Sequence, residues 1–511
     1  MATPSFTQAS PIVKPTQSSQ PRPMVAPASA AVIVTTMTVI AAVLRLHLLA
    51  ARSLWIDEAA SVNFATMPWW PFLRLLWSYQ GNMTLYYFLL RGWVHLGDSE
   101  AVVRGLSVLF GVATMPALYA LGTRMFDRVT GVTAAALLSV HSFHIQWSQE
   151  ARAYSLLTFL LVLTTYFFVR AMDSPRAKRY WVAFTLSAAL SVYAHIFAVF
   201  LLPAYALAII LPRPFTVKLR TLAAATVSFA LLIFPISAFV LLQHSSQIDW
   251  ITRPTLADVY HFLELLTGQG GSWSVVAYLV LWVLALMPLF GSEGSEQEVW
   301  SLRLVAFWLV LPPVLTLAAT PFKPLFFSRY MIMCVPALIL LAGRGISRVA
   351  AIPSGGRAMG TACLVVIVSL SAWGTTRYFT STTPIEDWRS AVGYILQREH
   401  PGDGAVFFIP NDYGYLYYVQ RAESSQEHIT LAPSVLYPTE PRRPVSRDEV
   451  LRVTKGWPRV WLIFCNESVN PQAAATMQSS MSEQFQNVDS RVFAGEDPIT
   501  VTLYSRPDAG R

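Results

Sequence analysis

Apolar runs close to the ~20 residues that cross a bilayer recur along most of this chain, and nothing else in it limits the fold as strongly. A crossing segment has no water to bond to, so its backbone must satisfy itself, and a run of this length predicts a helix. The runs fall at 30–50, 103–122, 130–147, 154–171, 180–197, 198–212, 220–242, 273–291, 302–320, 331–347 and 359–378. That is about eleven crossings at ~20 residues each. Composition agrees: 54% of residues are hydrophobic and 13% charged, against roughly 25% charged in soluble domains. The expected fold is a polytopic α-helical membrane protein.

Residues 1–29 are rich in Pro, Ser, Thr and Gln and carry only Lys14 and Arg22, so they read as a disordered tail. The run that follows is too long for a signal-peptide core. Thr84–Leu96 is apolar but short, and Arg91 and His95 interrupt it. It reads as a helix lying in the interface. Cys334, Cys363 and Cys465 show no paired spacing, which argues against a disulfide framework or a zinc site.

Loop charge orients the bundle. Arg124 and Arg128; Arg170, Arg176, Lys178 and Arg179; Arg213, Lys218 and Arg220; and Arg344, Arg348 and Arg357 fall on one side with the N-terminus. Positive residues stay inside, so the N-terminus is expected in the cytoplasm and the C-terminal region outside the cell or inner membrane. Segment 292–301, with Glu293, Glu296 and Glu298, departs from the pattern, but acidic residues weigh little in this rule. The net charge of +8 belongs to these loops, with no separate basic face for nucleic acid.

Character changes at 379–511. Pro401-Gly402-Asp403-Gly404 signals a turn, and Ala405–Ile409, Arg459–Phe464 and Ile499–Tyr504 read as strands. Ile385–Gln397 reads as a helix, with Trp388, Val392, Ile395 and Leu396 on one face. The expectation is a soluble extracytoplasmic α/β domain following a membrane module of residues 30–378.

On this topology four polar clusters share the outer face. They are the loop 51–102 with Asp57 and Glu58; Gln149, Glu150, Arg152 and Tyr154; His195; and Arg329 with Tyr330. Carboxylates beside a membrane helix are costly unless they face a watery site. A carboxylate can take the proton of a hydroxyl, and arginines suit a phosphate. An apolar bundle beside them offers a path for a lipid tail. Together these fit transfer of a group from a lipid-linked phosphate to a hydroxyl on a protein, lipid or glycan.

The residues resemble the integral-membrane glycosyltransferases of the C-type fold, near the protein mannosyltransferase and aminoarabinose transferase superfamily and its bacterial mannosyltransferase-like branch. The matching elements are Trp55-Ile56-Asp57-Glu58-Ala59; Leu85-Tyr86-Tyr87; Gly97-Asp98-Ser99-Glu100 with Arg104; Gln149-Glu150-Ala151-Arg152-Ala153-Tyr154; Tyr193-Ala194-His195; Ser328-Arg329-Tyr330; and Glu386-Asp387-Trp388-Arg389. Their combined order is specific, and no single piece is. The resemblance implies a polyprenyl-phosphate monosaccharide donor, a hexosyl- or pentosyltransferase activity, Asp57 as base, and Arg152 and Arg329 facing the donor phosphate. Gly81-Asn82-Met83-Thr84 departs from the prolines that relatives carry there, which puts the acceptor pocket in question.

Each residue also has a plainer reading. Asp57 and Glu58 would cap a helix, Glu150 and Arg152 would form a surface pair, and Arg329 would snorkel. Trp69, Trp70 and Trp77 read as an interface belt. His141 and His144 sit three apart, but two ligands do not make a metal site. No cofactor is firmly implied, although Asp57-Glu58 leaves room for a divalent cation. The competing function is a transporter or lipid flippase, which would favour internal repeats and mid-membrane polar residues.

Overall fold

The computed structural model describes residues 26–212, 216–242, 251–289, 294–381, 383–408, 412–423, 433–436, 445–465 and 471–507. Among them, 8 helices are long and apolar enough to cross a membrane: Pro27–Leu46, Glu100–Met125, Tyr154–Asp173, Leu219–Leu242, Gly271–Leu289, Glu296–Ala318, Ser328–Ala350 and Gly356–Thr380. The chain is a polytopic α-helical membrane protein. The first helix opens at Pro27, inside the stretch read as tail; Pro suits a first helical turn because that N–H has no partner anyway. Residues 1–25, Arg213, Glu293 and Ile409 lie outside the described residues.

The other three expected crossings are shorter or broken. Lys178–Ala194 is a helix of 17 residues, and Ile196–Ile210 follows as a 3-10 turn and a short α-helix. The run 130–147 splits into Arg128–Ser139 and Ser142–Ser148. Arg45 explains the split. Its buried guanidinium donates to the carbonyls of Leu138 (3.2 Å) and Ser139 (3.1 Å), the last two residues of the first piece. His141 caps the second piece, its Nδ1 accepting from the His144 N–H. The two histidines therefore do not present a shared helical face. Arg45 also bonds His144 Nδ1 at 2.8 Å, so a cation already stands where a metal would bind.

Ser328–Ala350 is the central element, with 94% of its apolar window buried. Small residues admit close neighbours there, as expected where lipid supplies no hydrophobic drive between helices. A Cβ on Gly345 would meet the Leu281 carbonyl oxygen at 2.3 Å, and one on Gly343 would meet Thr130 O at 3.0 Å.

Charge pairs gather at one end of the bundle. Arg344 bonds Glu298 (2.6 Å) and Asp127 (2.5 Å), Arg348 reaches Glu298 (3.2 Å), and Arg124 pairs with Asp173. The acidic segment that broke the charge pattern thus sits beside arginines from the basic loops. Tyr154–Asp173 has 20 residues, so this end lies roughly 30 Å from Tyr154 at 1.5 Å per residue.

Beyond Thr380 the chain builds a mixed sheet of five strands: β1 Gly404–Phe408, β2 Pro433–Leu436, β3 Arg459–Cys465, β4 Gln486–Phe493 and β5 Ile499–Ser505, in the order β2-β1-β3-β5-β4. β1 is parallel to β2 and β3, while β5 is antiparallel to β3 and β4. Strand residues alternate between two cores. Trp461 and Ile463 face helix Trp388–Leu396, and Leu462 and Phe464 face helix Pro471–Gln484. The expected helix begins three residues later than predicted because Asp387 caps it, accepting from the Ser390 N–H at 3.2 Å.

Candidate active site

Trp55 is the N-cap of helix Ile56–Thr66, which puts Asp57 and Glu58 in its first turn. Being neighbours in sequence, they point different ways and meet different surroundings.

Glu58 is fully buried. Arg104 grips both its oxygens, Nε at 2.8 Å and Nη2 at 2.7 Å, and the Ala151 N–H adds a third bond at 2.7 Å. The same guanidinium donates to the carbonyls of Leu49, Arg52 and Ser53. Glu58 therefore ties three segments together, and its oxygens are engaged by protein donors. The sequence grouped it with Asp57 as catalytic; its placement is that of a structural anchor.

Asp57 is partly open, with 32% of its side-chain surface exposed. Its Oδ2 lies 3.5 Å from Arg152 Nη2 and 3.9 Å from Arg329 Nη2. Both distances exceed a good hydrogen bond, so the carboxylate sits between two positive charges without being locked to either. Arg152 is anchored by Nη1, which donates to Asp57 O (3.1 Å), Ser61 Oγ (3.2 Å) and Tyr87 OH (3.4 Å). Arg329 stacks over Phe327 (4.8 Å to the ring centre) and Trp55 (5.4 Å). The surface-pair and snorkelling readings do not hold: Arg152 pairs with Asp57, and Arg329 is drawn inward.

Aromatic rings close the site. Tyr330 lies 5.0 Å from the His195 ring and 6.4 Å, stacked, from Tyr154. Three buried polar atoms around this cluster have no hydrogen-bond partner among the described residues: Arg152 Nε, His195 Nε2 and Tyr154 OH. Buried polar groups are nearly always satisfied, so several together call for a ligand or ordered water. His195 is oriented from its other nitrogen, where Nδ1 accepts from the Phe197 N–H.

Gln149 and Glu150 face away from Asp57. Gln149 donates to Arg45 O and His47 O and accepts from Tyr378 OH. Glu150 accepts from Trp55 Nε1 at 2.6 Å. Burial first, and then the neighbouring Glu58 carboxylate, push the Glu150 carboxyl well above its usual range. Both residues brace the site from behind. Among the described residues no group of three or more His, Cys, Asp or Glu could hold a metal ion.

The departing loop is tied in as well. Asn82 Oδ1 accepts from the Ile196 N–H at 3.0 Å, next to His195. A Cβ on Gly81 would overlap the Phe239 ring at 2.3 Å, so glycine lets the loop pack on helix Leu219–Leu242.

Sequence reasoning missed how the C-terminal region holds the Asp57 helix. Glu386 Oε2 accepts from the Ile56 N–H (2.8 Å), the first residue of the Asp57 helix, and from Trp388 Nε1 (2.5 Å). Tyr418 OH accepts from the Leu54 N–H at 2.8 Å, and the Arg389 N–H donates to Ser53 Oγ at 3.1 Å. Arg389 also pairs with Glu100 at 2.5 Å. Burial pushes the Glu386 carboxyl up to about 7; the Trp388 and Ile56 hydrogen bonds oppose this, and Asp57 adds to it. Arg45 was missed too, though a lone arginine inside an apolar run was the signal.

Residues 84–241 match the family model described as dolichyl-phosphate-mannose-protein mannosyltransferase. No curated protein matches the chain in sequence. Among solved structures, the chain is similar to ArnT from Cupriavidus metallidurans in the apo state, at 14% identity over 93% of this chain and 98% of that one, with a TM-score of 0.56. It is equally similar to ArnT bound to undecaprenyl phosphate, at 12% identity over 94% and 98%, TM-score 0.57. The Archaeoglobus fulgidus oligosaccharyltransferase, in complex with Zn and sulfate, aligns at 11% identity over 93% of this chain and 73% of that one, TM-score 0.55. The chain has the C-type glycosyltransferase fold, which it shares with ArnT and the archaeal oligosaccharyltransferase.

Proposed function

We propose that the chain is a membrane glycosyltransferase that moves a monosaccharide from a polyprenyl-phosphate donor to a hydroxyl on a protein, lipid or glycan, at the outer membrane face. The observation that carries this is the partly open Asp57 carboxylate between Arg152 and Arg329, beside buried polar atoms of Arg152, His195 and Tyr154 that lack hydrogen-bond partners among the described residues. Such a set suits a ligand that carries both an anion and hydroxyls. ArnT, whose fold this chain shares, has been seen with undecaprenyl phosphate. The arginine cluster at the far end of the bundle supports the outward assignment, because basic residues favour the cytoplasmic side.

In the proposed reaction the acceptor oxygen attacks the anomeric carbon while Asp57 takes its proton. The new C–O bond forms as the bond to the phosphate oxygen breaks, and the polyprenyl phosphate departs with the bonding pair. Attack opposite the leaving group inverts the anomeric centre. Arg329 and Arg152 stabilise the charge that develops on the phosphate. Arg152 does a second job, fixing Asp57 through its main-chain oxygen. His195 Nε2 and Tyr154 OH are assigned to hydroxyls or phosphate oxygens of the donor. Glu58 holds the helix and takes no part in proton transfer.

Arg329→Ala tests the phosphate assignment. Loss of one charge-stabilising donor costs about 100-fold in turnover, with a raised KM for the donor. Steady-state transfer from polyprenyl-phosphate mannose, and from other polyprenyl-phosphate sugars if mannose is not accepted, measures both. Unchanged kcat and KM would remove Arg329 from the site.

Glu386 is assigned to positioning Asp57. Because folding raises its pKa from 4.5 to about 7, the folded state binds the proton more tightly than the unfolded state. The stability gained is complete below pH 4.5 and is lost as pH rises through 7, an effect of up to ~3 kcal/mol. Glu386→Gln, which keeps an acceptor for Ile56, is expected to flatten this dependence and to retain most of the turnover, whereas Glu386→Leu loses turnover at unchanged donor KM. Denaturation midpoints across the pH range, alongside kinetics, check this. Equal pH dependence in wild type and Glu386→Gln would contradict it.

A further inference from the structure

At the end of the bundle away from Asp57, helix Leu219–Leu242 stands off from helix Lys178–Ala194 and leaves a groove of about 1470 Å³. Small-molecule pockets run to roughly 300–1,000 Å³, so this space suits something larger. Its mouth carries Arg176, Lys178, Lys218 and Arg220. None of the four has an ion-pair partner among the described residues. The carboxylate at the mouth, Asp173, is already paired with Arg124. The walls are largely apolar, from Trp181 and Leu186 on one helix to Ala225 and Leu232 on the other, with Thr185, Thr221 and Ser228 among them.

Two features set this groove apart from the donor site. Helix Lys178–Ala194 has 17 residues, so its basic end lies roughly 25 Å from His195. Towards that far end the helices are joined, Tyr193 OH donating to Leu232 O at 2.9 Å. The helix that forms the outer wall is also thinly packed, with 11% of its apolar window buried against 72% for Tyr154–Asp173. A cationic mouth over a largely apolar cleft, beside one helix with little burial against protein, complements an anionic headgroup with long chains.

We propose that this groove binds an anionic diacyl phospholipid, with its phosphate among Arg176, Lys178, Lys218 and Arg220 and its chains along the cleft. The bound lipid fills the gap that the protein leaves and seats helix Leu219–Leu242. That helix reaches the Asp57 side through Phe239, which packs on Gly81. The assignment does not depend on the transferase reading, because it rests on residues outside the Asp57 site.

The test is native mass spectrometry of the full chain in detergent, with equimolar phosphatidylglycerol, phosphatidylcholine and undecaprenyl phosphate. Phosphatidylglycerol is expected to be retained about tenfold over phosphatidylcholine, and to fall to the phosphatidylcholine level in the Lys178→Gln/Lys218→Gln/Arg220→Gln variant. Ser228→Trp, which narrows the groove without changing charge, is expected to lower retention as well, and it covers the case in which the triple variant fails to insert. Equal retention of the two phospholipids by the wild type overturns the proposal. Undiminished retention in either variant overturns the location, and displacement of phosphatidylglycerol by undecaprenyl phosphate overturns the occupant.

Discussion

Asp57→Asn lowers the turnover of sugar transfer by about a thousandfold, the range of a lost general base, while the protein inserts and unfolds like the wild type. The amide matches the carboxylate in shape and cannot take the acceptor's proton. Among the described residues the Asp57 side chain makes no close contact that holds the fold: its Oδ2 stands 3.5 and 3.9 Å from the two guanidiniums, and the main-chain oxygen that Arg152 bonds is unchanged in the variant. Its helix is held by other groups, namely Glu58 on Arg104 and Glu386 on the Ile56 N–H. Turnover and denaturation midpoints measured on the same preparation separate the two effects. A thousandfold loss accompanied by a collapsed midpoint would mean that Asp57 is structural.

Glu58→Ala and Arg104→Ala show the opposite pattern. Each leaves the other charge buried without its partner, which costs about 3–5 kcal/mol. Arg104→Ala also strands the carbonyls of Leu49, Arg52 and Ser53. Both variants are expected to lose folded protein, and the double variant to lose less than the sum, because the unpaired charge is removed with its partner. Chemical denaturation in micelles gives the three values. If each single change costs less than ~1 kcal/mol, as an exposed pair would, the anchoring role of Glu58 fails. The adjacent carboxylates Asp57 and Glu58 therefore give separable signatures: lost chemistry with an intact fold, and a lost fold.

Residue types and their order made much of this legible. Apolar runs located the long helices, since a crossing helix needs both length and low charge. Basic loops fixed the end at which Arg344 and Arg348 cluster, and the order of motifs brought Asp57, Arg152, His195, Arg329 and Tyr330 into one site. Three things were hidden, each for a physical reason. A run of sufficient apolar length does not reveal a break, and the interruption after Ser139 depends on Arg45, almost a hundred residues away. Periodicity did not reveal strand β4, because it is an edge strand exposed along nearly its whole length and so carries no buried alternation. Nor could the roles of Glu58 and Glu386 be read locally. Adjacent acids look alike in sequence, and only the Arg104 grip and the reach of Glu386 to Ile56 show that both serve to hold Asp57 in place.

The central claim is that Asp57 drives cleavage of a lipid-phosphate sugar. The most direct measurement follows the free polyprenyl phosphate released when purified protein in liposomes receives polyprenyl-phosphate sugars, mannose first, with host envelope extract as acceptor. Wild type is predicted to release the lipid phosphate in step with sugar transfer, and Asp57→Asn to release almost none. Near-normal release by Asp57→Asn, or sugar appearing across the membrane with its lipid phosphate still attached, would contradict the account.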